Sequence, residues 1–484
     1  MAARPLRFAV IGAGFAGVLS AIKLQEAGFD DIVVYEKADS LGGTWRENTY
    51  PGVACDVPSQ LYSYSFALNP EWSDVYSSGS EILAYLQSVA DEHRLERVIR
   101  YGCEVTGLEF VEGRWQIETA QGSDVADVVI AATGVLHHPA YPDIAGRERF
   151  AGAAWHSARW DHSVDIAGKR VGVIGTGSSA VQMTTAMVDV VDELRLFQRT
   201  PQWIMPAKNS AVEESEKERY RADRSAMLEV RKQVYDAFTG HFGRAIIDAD
   251  SPEAQMIHDI VVANLERGVK DPELREKLRP DYRAACKRLV MSGGFYKAIS
   301  RPNAALVTEP ITQIEEKGVR TADGTLHELD LLVYATGFRV DRFLRPIRVL
   351  GRGGVDLDVE WARHPVAYRS VAVPEFPNLF MLNGPNGPVG NFPLIEVAEL
   401  QFRYLLQLID LLASGECTEV SPQRAATEAF EHARAEAAKS TIWMTGCRSW
   451  YLDADGIPAA WPWTFDAFVD SMVAPELADF DLRS

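Results

Sequence analysis

The chain has 484 residues, 47% of them hydrophobic and 24% charged, a balance that builds several buried cores and excludes a small module or a mainly disordered chain. Lys and Arg number 49 against 68 Asp and Glu, a formal charge of −19, which repels phosphate backbones and anionic lipid and argues against nucleic acid as a partner. Five cysteines, none in a C-x-x-C pair, disfavour a disulfide framework and a redox dithiol, and the lack of any long apolar run makes the cytoplasm the expected address.

In chain order, the first element is a β-branched run into glycines, Phe8-Ala-Val-Ile-Gly-Ala-Gly-Phe-Ala-Gly17, followed by a helical pattern. This is the order of a dinucleotide-binding βαβ unit: a tight turn at the first glycine, close backbone approach at the second, and phosphate on the helix N-terminus. The next strand, Ile32-Val-Val-Tyr-Glu36, ends in an acid placed to accept hydrogen bonds from ribose hydroxyls, and that acid repels a 2′-phosphate. FAD or NAD is therefore expected there, and the Gly-Gly turn in Leu41-Gly-Gly-Thr-Trp45 favours FAD by its similarity to flavoproteins.

Val128-Val-Ile-Ala-Ala-Thr-Gly134 then reads as a buried strand leaving the first nucleotide unit. A second glycine turn follows, Val171-Gly-Val-Ile-Gly-Thr-Gly-Ser-Ser-Ala180, and its second strand ends Phe197-Gln-Arg199-Thr200, with a cation and a hydroxyl but no acid. Arg199 can grip a 2′-phosphate bidentately and Thr200 can donate to it, which selects NADPH over NADH. Residues 209–287 shift to a charged, helix-forming composition, read as amphipathic helices inserted in the second unit, with Glu213-Glu-Ser-Glu-Lys-Glu-Arg-Tyr-Arg221 as a solvated face. Leu331-Leu-Val-Tyr-Ala-Thr-Gly337 repeats the Ala-Thr-Gly exit. The expected fold is α/β with two Rossmann-like domains: a discontinuous FAD domain over 1–140 and 341–484, and an NADPH domain over 145–340 carrying the helical insertion.

Between the glycine turns lies Phe150-Ala-Gly152-Ala-Ala-Trp-His156-Ser-Ala-Arg-Trp160-Asp161. It matches F-x-G-x-x-x-H-x-x-x-W-(P/D), and the chain resembles the Baeyer–Villiger monooxygenases over nearly its whole length. The resemblance implies FAD and NADPH as cofactors, O2 and a small-molecule ketone as substrates, and an ester or lactone formed through a C4a-peroxyflavin. It makes Arg288 the catalytic cation with Asp56 as its partner, gives Lys287 a contact to the 2′-phosphate, and likens Ser449-Trp450 to the start of a mobile loop over NADP. His156 is given no chemistry, only a part in linking domain movement to cofactor binding.

Motif and resemblance together yield a cofactor-binding set of Gly12, Gly14, Phe15, Ala16, Gly17, Glu36, Lys37, Gly43, Thr44, Trp45, Asp56, Tyr62, Gly175, Thr176, Gly177, Ser178, Ser179, Ala180, Gln182, Arg199, Thr200, Lys287 and Trp450. No metal site and no obligate protein partner are expected, since the histidines and acids show no ligand spacing and His137-His138 sits in a linker. Three other readings compete. A sulfur- or nitrogen-oxidising flavin-containing monooxygenase needs no positioned arginine. A pyridine nucleotide:disulfide reductase needs a dithiol beside the flavin, and Cys55 has no near partner in sequence. A non-catalytic NADPH-sensing flavoprotein needs no Asp56, Lys287 and Arg288 together. The helices of 209–287, Asn386-Gly-Pro-Val-Gly-Asn-Phe-Pro393 and the Trp-rich tail, with Ile457-Pro-Ala-Ala-Trp-Pro-Trp463, are the expected pocket walls. They leave cyclic, aromatic, linear and steroid ketones open.

Overall fold

The computed structural model describes residues 5–388, 390 and 392–484, so Val389 and Asn391 of the expected pocket wall lie outside the described residues. Two five-stranded parallel sheets organise the chain. The first has the order Leu379–Met381, Val128–Ala131, Phe8–Ile11, Ile32–Tyr35, Ile99–Arg100. Its three central strands are buried at every position, as a parallel sheet covered on both faces requires. The helices Phe15–Glu26 and Leu394–Ser414 pack into the core on one face. An antiparallel meander, Val105–Val111, Arg114–Thr119 and Gly122–Ala126, closes the other through Trp115, Ile117 and Phe110. The strand Leu379–Met381 brings the last third of the chain back to the sheet that the first third began.

The second sheet repeats the plan, with the order Ala304–Val307, Glu193–Phe197, Arg170–Ile174, Leu331–Tyr334, Ala153–His156. Helix Ser178–Met187 covers one face, and a smaller meander, Ile311–Glu315, Gly318–Thr321 and Leu326–Glu328, packs Ile314 and Val319 on the other.

Residues 209–287 form the helices Glu214–Ala222, Arg224–Ala237, Gly243–Ile247, Pro252–Gly268 and Pro272–Lys277, with a π-helical turn at Phe238–Phe242. Pro252–Gly268 starts as its sequence dictates: the Ser251 hydroxyl accepts from the Ala254 amide, Pro252 takes the first turn, and Ala254, Ile257, Val261 and Leu265 form one buried stripe in the second core. Arg224–Ala237 turns the other way. Its Val234 and Tyr235 pack on the first core, and buried Arg231 donates from Nη1 to the carbonyls of Gln60 (3.0 Å) and Ser63 (3.0 Å) while Nη2 pairs with Glu396 at 2.6 Å. The helical stretch therefore bridges both halves. The charged run 213–221 is a solvated face as expected, with Arg221 pairing Glu71 and Glu214 at the surface.

One sequence expectation is overturned. Cys286 and Cys447 are joined in a disulfide, while Cys55, Cys103 and Cys417 are free and buried. A separation of 161 residues puts such a pairing beyond any spacing rule, because only the packing of the tail against the Cys286 segment brings the two sulfurs together. No helix among the described residues is long and apolar enough to cross a membrane.

Candidate active site

The first glycine turn is held by contacts that exclude a side chain. Gly12 has φ +101°, and a Cβ on it would fall 2.7 Å from the Ala132 carbonyl; a Cβ on Gly17 would fall 1.8 Å from the Gly12 carbonyl. Gly14 caps the helix Phe15–Glu26 without a side-chain hydrogen bond, so the first-turn amides, Phe15 and Ala16 among them, keep capacity for an anion. Gly43 packs against Gly14, and both line the same cleft with Lys37, Thr44 and Trp45. Glu36 is buried at the end of its strand. Its two oxygens accept from the amides of Ala13 and Ala38, each at 2.9 Å, and Arg46 stands 3.2 Å away. Trp45 donates from Nε1 to the Tyr62 hydroxyl at 3.0 Å, and burial pushes that phenol up. These residues fit a dinucleotide whose ribose hydroxyls meet Glu36 and whose pyrophosphate meets the helix.

The second turn has the same construction. Gly175 has φ +120°, and its Cβ would meet the Ala335 carbonyl at 2.2 Å; Gly177 caps Ser178–Met187 without a side chain. Thr176 donates to the Thr200 carbonyl at 2.7 Å, tying the glycine turn to the strand end that carries Arg199. Two residues of the expected set have other partners. Ser179 donates to the Tyr50 hydroxyl at 3.0 Å, Tyr50 donates to Gln182 Oε1 at 2.8 Å, and Gln182 Nε2 donates to the Ala54 carbonyl at 3.0 Å. These side chains staple the second helix to the loop before Asp56, while Ser178 and Ala180 stay in the first turn of the helix. Tyr50, which sequence reasoning missed, is pushed up to about 12 by burial.

Arg199 is exposed and Thr200 half-buried at that strand end. Lys287 lies with its ammonium 4.7 Å above the Tyr282 ring. Its pKa is lowered, by burial first and also by the charge of Arg199. Two cations close enough to oppose each other, beside the open end of a glycine turn, fit a dianionic phosphate.

Arg288 and Asp56 meet as expected. Nη2 reaches both carboxylate oxygens at 2.7 Å, Nε reaches Oδ2 at 3.3 Å, and Nη1 donates to the Gly390 carbonyl at 2.8 Å. The charge of Asp56 pushes the Arg288 pKa further up, so the guanidinium stays charged, and 33% of the side chain remains exposed. That open part faces a cavity of about 330 Å³, lined with Met205, Phe238, Phe242 and Met256 among others. The helical stretch thus supplies cavity walls, as expected.

Trp450 is 43% exposed on the tail loop, its ring 4.0 Å from that of Tyr451. His156 is fully buried, accepts from the Ala158 amide through Nδ1, and so donates from Nε2 to the Gly337 carbonyl. Burial pushes it down to about 4, leaving a neutral strut between its strand and the Ala-Thr-Gly turn.

Residues 9–236 match the family described as pyridine nucleotide-disulphide oxidoreductase, and both bridged cysteines lie beyond that match. The chain is 40% identical over 489 residues to a Baeyer–Villiger monooxygenase of Streptomyces coelicolor, covering 99% of this chain and 92% of that protein. It superimposes on a cyclohexanone monooxygenase from Rhodococcus sp. Phi1 bound to NADP+ with a TM-score of 0.87, 32% identity and 99% coverage of both chains. A complex of OTEMO with FAD and NADP gives a TM-score of 0.89 at 27% identity, covering both chains fully. With identity of this order sustained from end to end, this chain belongs to the Baeyer–Villiger monooxygenases.

Proposed function

We propose that this FAD- and NADPH-dependent monooxygenase inserts one atom of O2 beside a ketone carbonyl and releases an ester or lactone. The observation that carries the reading is Arg288: a permanently charged guanidinium, fixed on one side by Asp56 and the Gly390 carbonyl, with its open part at an apolar cavity. FAD occupies the first glycine turn and NADPH the second. The domain assignment follows, with 1–140 and 341–484 as the FAD domain, 145–340 as the NADPH domain, and 209–287 as its helical insertion.

Bound flavin supplies the two-electron chemistry that accepts hydride and activates O2. The chain's residues do the rest. Glu36 takes the ribose hydroxyls of FAD, while Arg199 and Lys287 hold the 2′-phosphate that distinguishes NADPH from NADH. Arg288 places its charge where negative charge develops on oxygen as the carbonyl carbon becomes tetrahedral. Asp56 keeps the guanidinium from turning away, and the Met and Phe walls keep water from competing for its donors. A soft-atom oxidation would make no use of a cation so placed, which is why the ketone reaction is preferred.

The test is product analysis of the purified holoenzyme with NADPH, air, a panel of cyclic, aryl and long-chain ketones, and thioanisole. Ester or lactone from any ketone is the expected result. Sulfoxide formed with no ester from any ketone would overturn the assignment in favour of heteroatom oxidation.

A further inference from the structure

We infer that Cys286 and Cys447 form a reversible redox site which, when oxidised, locks the tail loop onto the Arg288 segment and slows dinucleotide exchange. This rests on the reading of Arg288, Lys287 and Trp450 as parts of the active site. The disulfide joins two segments that each bear directly on that site. Cys286 immediately precedes Lys287 and Arg288, and Cys447 stands three residues before Trp450.

The geometry between bridge and arginine is continuous. Tyr451 is only 3% exposed, and its ring lies between Trp443, with centroids 5.0 Å apart, and Trp450, at 4.0 Å. Its hydroxyl is wedged against Gly390, 2.0 Å from where a Cβ would stand. The carbonyl of Gly390 holds Arg288 Nη1. The far end of the loop is anchored separately: Asp453 Oδ1 accepts from the amides of Asp455 and Ile457, Arg363 pairs with Asp455 at 2.7 Å, and Arg434 donates to the Pro458 carbonyl. Residues 448–452 therefore hang between a covalent tether and a polar one. With the tether closed, Tyr451 stays wedged and Trp450 has little reach. With it open, the nearest upstream anchor moves back to Ile442 and Trp443 in the second core, and the longer span lets the exposed Trp450 move further.

The chemistry is balanced with a peroxide as oxidant: two thiols and H2O2 give one disulfide and two waters, the thiols losing two electrons to the O–O bond. A cellular dithiol reverses the step by exchange. Hydrogen peroxide is also what an oxygen-activating flavin enzyme releases when no substrate is oxidised. Leakage would then close the latch, hold NADP+ in place and reduce further leakage.

The experiment uses the full holoenzyme, incubated with H2O2 or with dithiothreitol and then freed of reagent. Alkylation after denaturation, read by mass, should label only Cys55, Cys103 and Cys417 in the oxidised sample and all five cysteines in the reduced one. Oxidised enzyme should bind NADP+ at least about fivefold more tightly, the size of a modest coupling between sites, and release less peroxide per NADPH consumed. Cys447→Ser should behave like the reduced enzyme and ignore peroxide. Five alkylatable cysteines in both samples would overturn the proposal, and so would a bridge that forms and breaks with no change in NADP+ affinity. Neither readout depends on ester formation, so a normal thiol and NADP+ response in an enzyme that makes no ester would count against the ketone reaction alone.

Discussion

The two glycine turns are near copies in backbone and opposites in charge. At both, a left-handed glycine lies against the carbonyl of an Ala-Thr-Gly strand exit, and a glycine-capped helix follows. At the end of the neighbouring strand they diverge. Glu36 is buried and braced by two amides, whereas Arg199 is exposed and its charge opposes that of Lys287, which Asp281 offsets only in part. On the proposed reading, the fold supplies a generic phosphate cradle twice, and one side chain at a strand end would decide what each cradle keeps. On that reading, a braced carboxylate suits a cofactor that stays, and cations at an open strand end suit one that must come and go.

The strongest way to break the comparison is at the seam between the halves. Arg288→Ala leaves both cradles intact, so NADPH should still bleach the flavin at close to the normal rate, while ester formation falls by at least about a hundredfold. Normal ester yield would remove Arg288 from the chemistry. Gly12→Ala and Gly175→Ala come next. Each forces a side chain into a backbone carbonyl and costs about 1–3 kcal/mol in backbone strain alone. The first should purify without its yellow colour; the second should stay yellow but resist reduction by NADPH. Loss of the same cofactor from both variants would mean that the cradles are not separate.

A smaller effect is expected from Arg199→Ala, which should raise KM about tenfold more for NADPH than for NADH, equivalent to about 1.4 kcal/mol. Equal effects would put the 2′-phosphate elsewhere. The smallest concerns pH. Burial and Arg199 lower the pKa of Lys287, so its charge, and with it kcat/KM for NADPH, is lost on the alkaline side earlier than for an ordinary lysine. Arg199→Ala removes one of the two causes and should move that limb to higher pH, an outcome that a purely structural Lys287 would not give.

Much of this was legible in the chain because the signals are local. Both glycine turns, the strand ends at Glu36 and Arg199, and the helices of 209–287 each declare themselves within a window of about ten to twenty residues, the reach of periodicity and turn rules. Arg288 and Asp56 were paired through family resemblance, and the geometry bears that pairing out. What stayed hidden depends on residues far apart in the chain. Ser179 and Gln182 carry the right residue types for a helix N-terminus beside phosphate, yet their hydrogen bonds go to Tyr50 and Ala54 because the two halves press together there. The Cys286–Cys447 bridge and the grip of Arg231 on Gln60 and Ser63 arise from the same kind of long-range packing, which no local pattern encodes.

That grip also settles which way the cavity wall is loyal. The helix Arg224–Ala237 belongs in sequence to the half built on the second sheet, but Arg231 bolts it to the loop 60–63 and to Glu396 on Leu394–Ser414, both packed on the first. If the halves swivel, the wall formed by Val234 and Phe238 rides with the first. Met205, Phe242 and Ile257 stay with the second core, so the cavity beside Arg288 has one wall on each half and a swivel would change its shape.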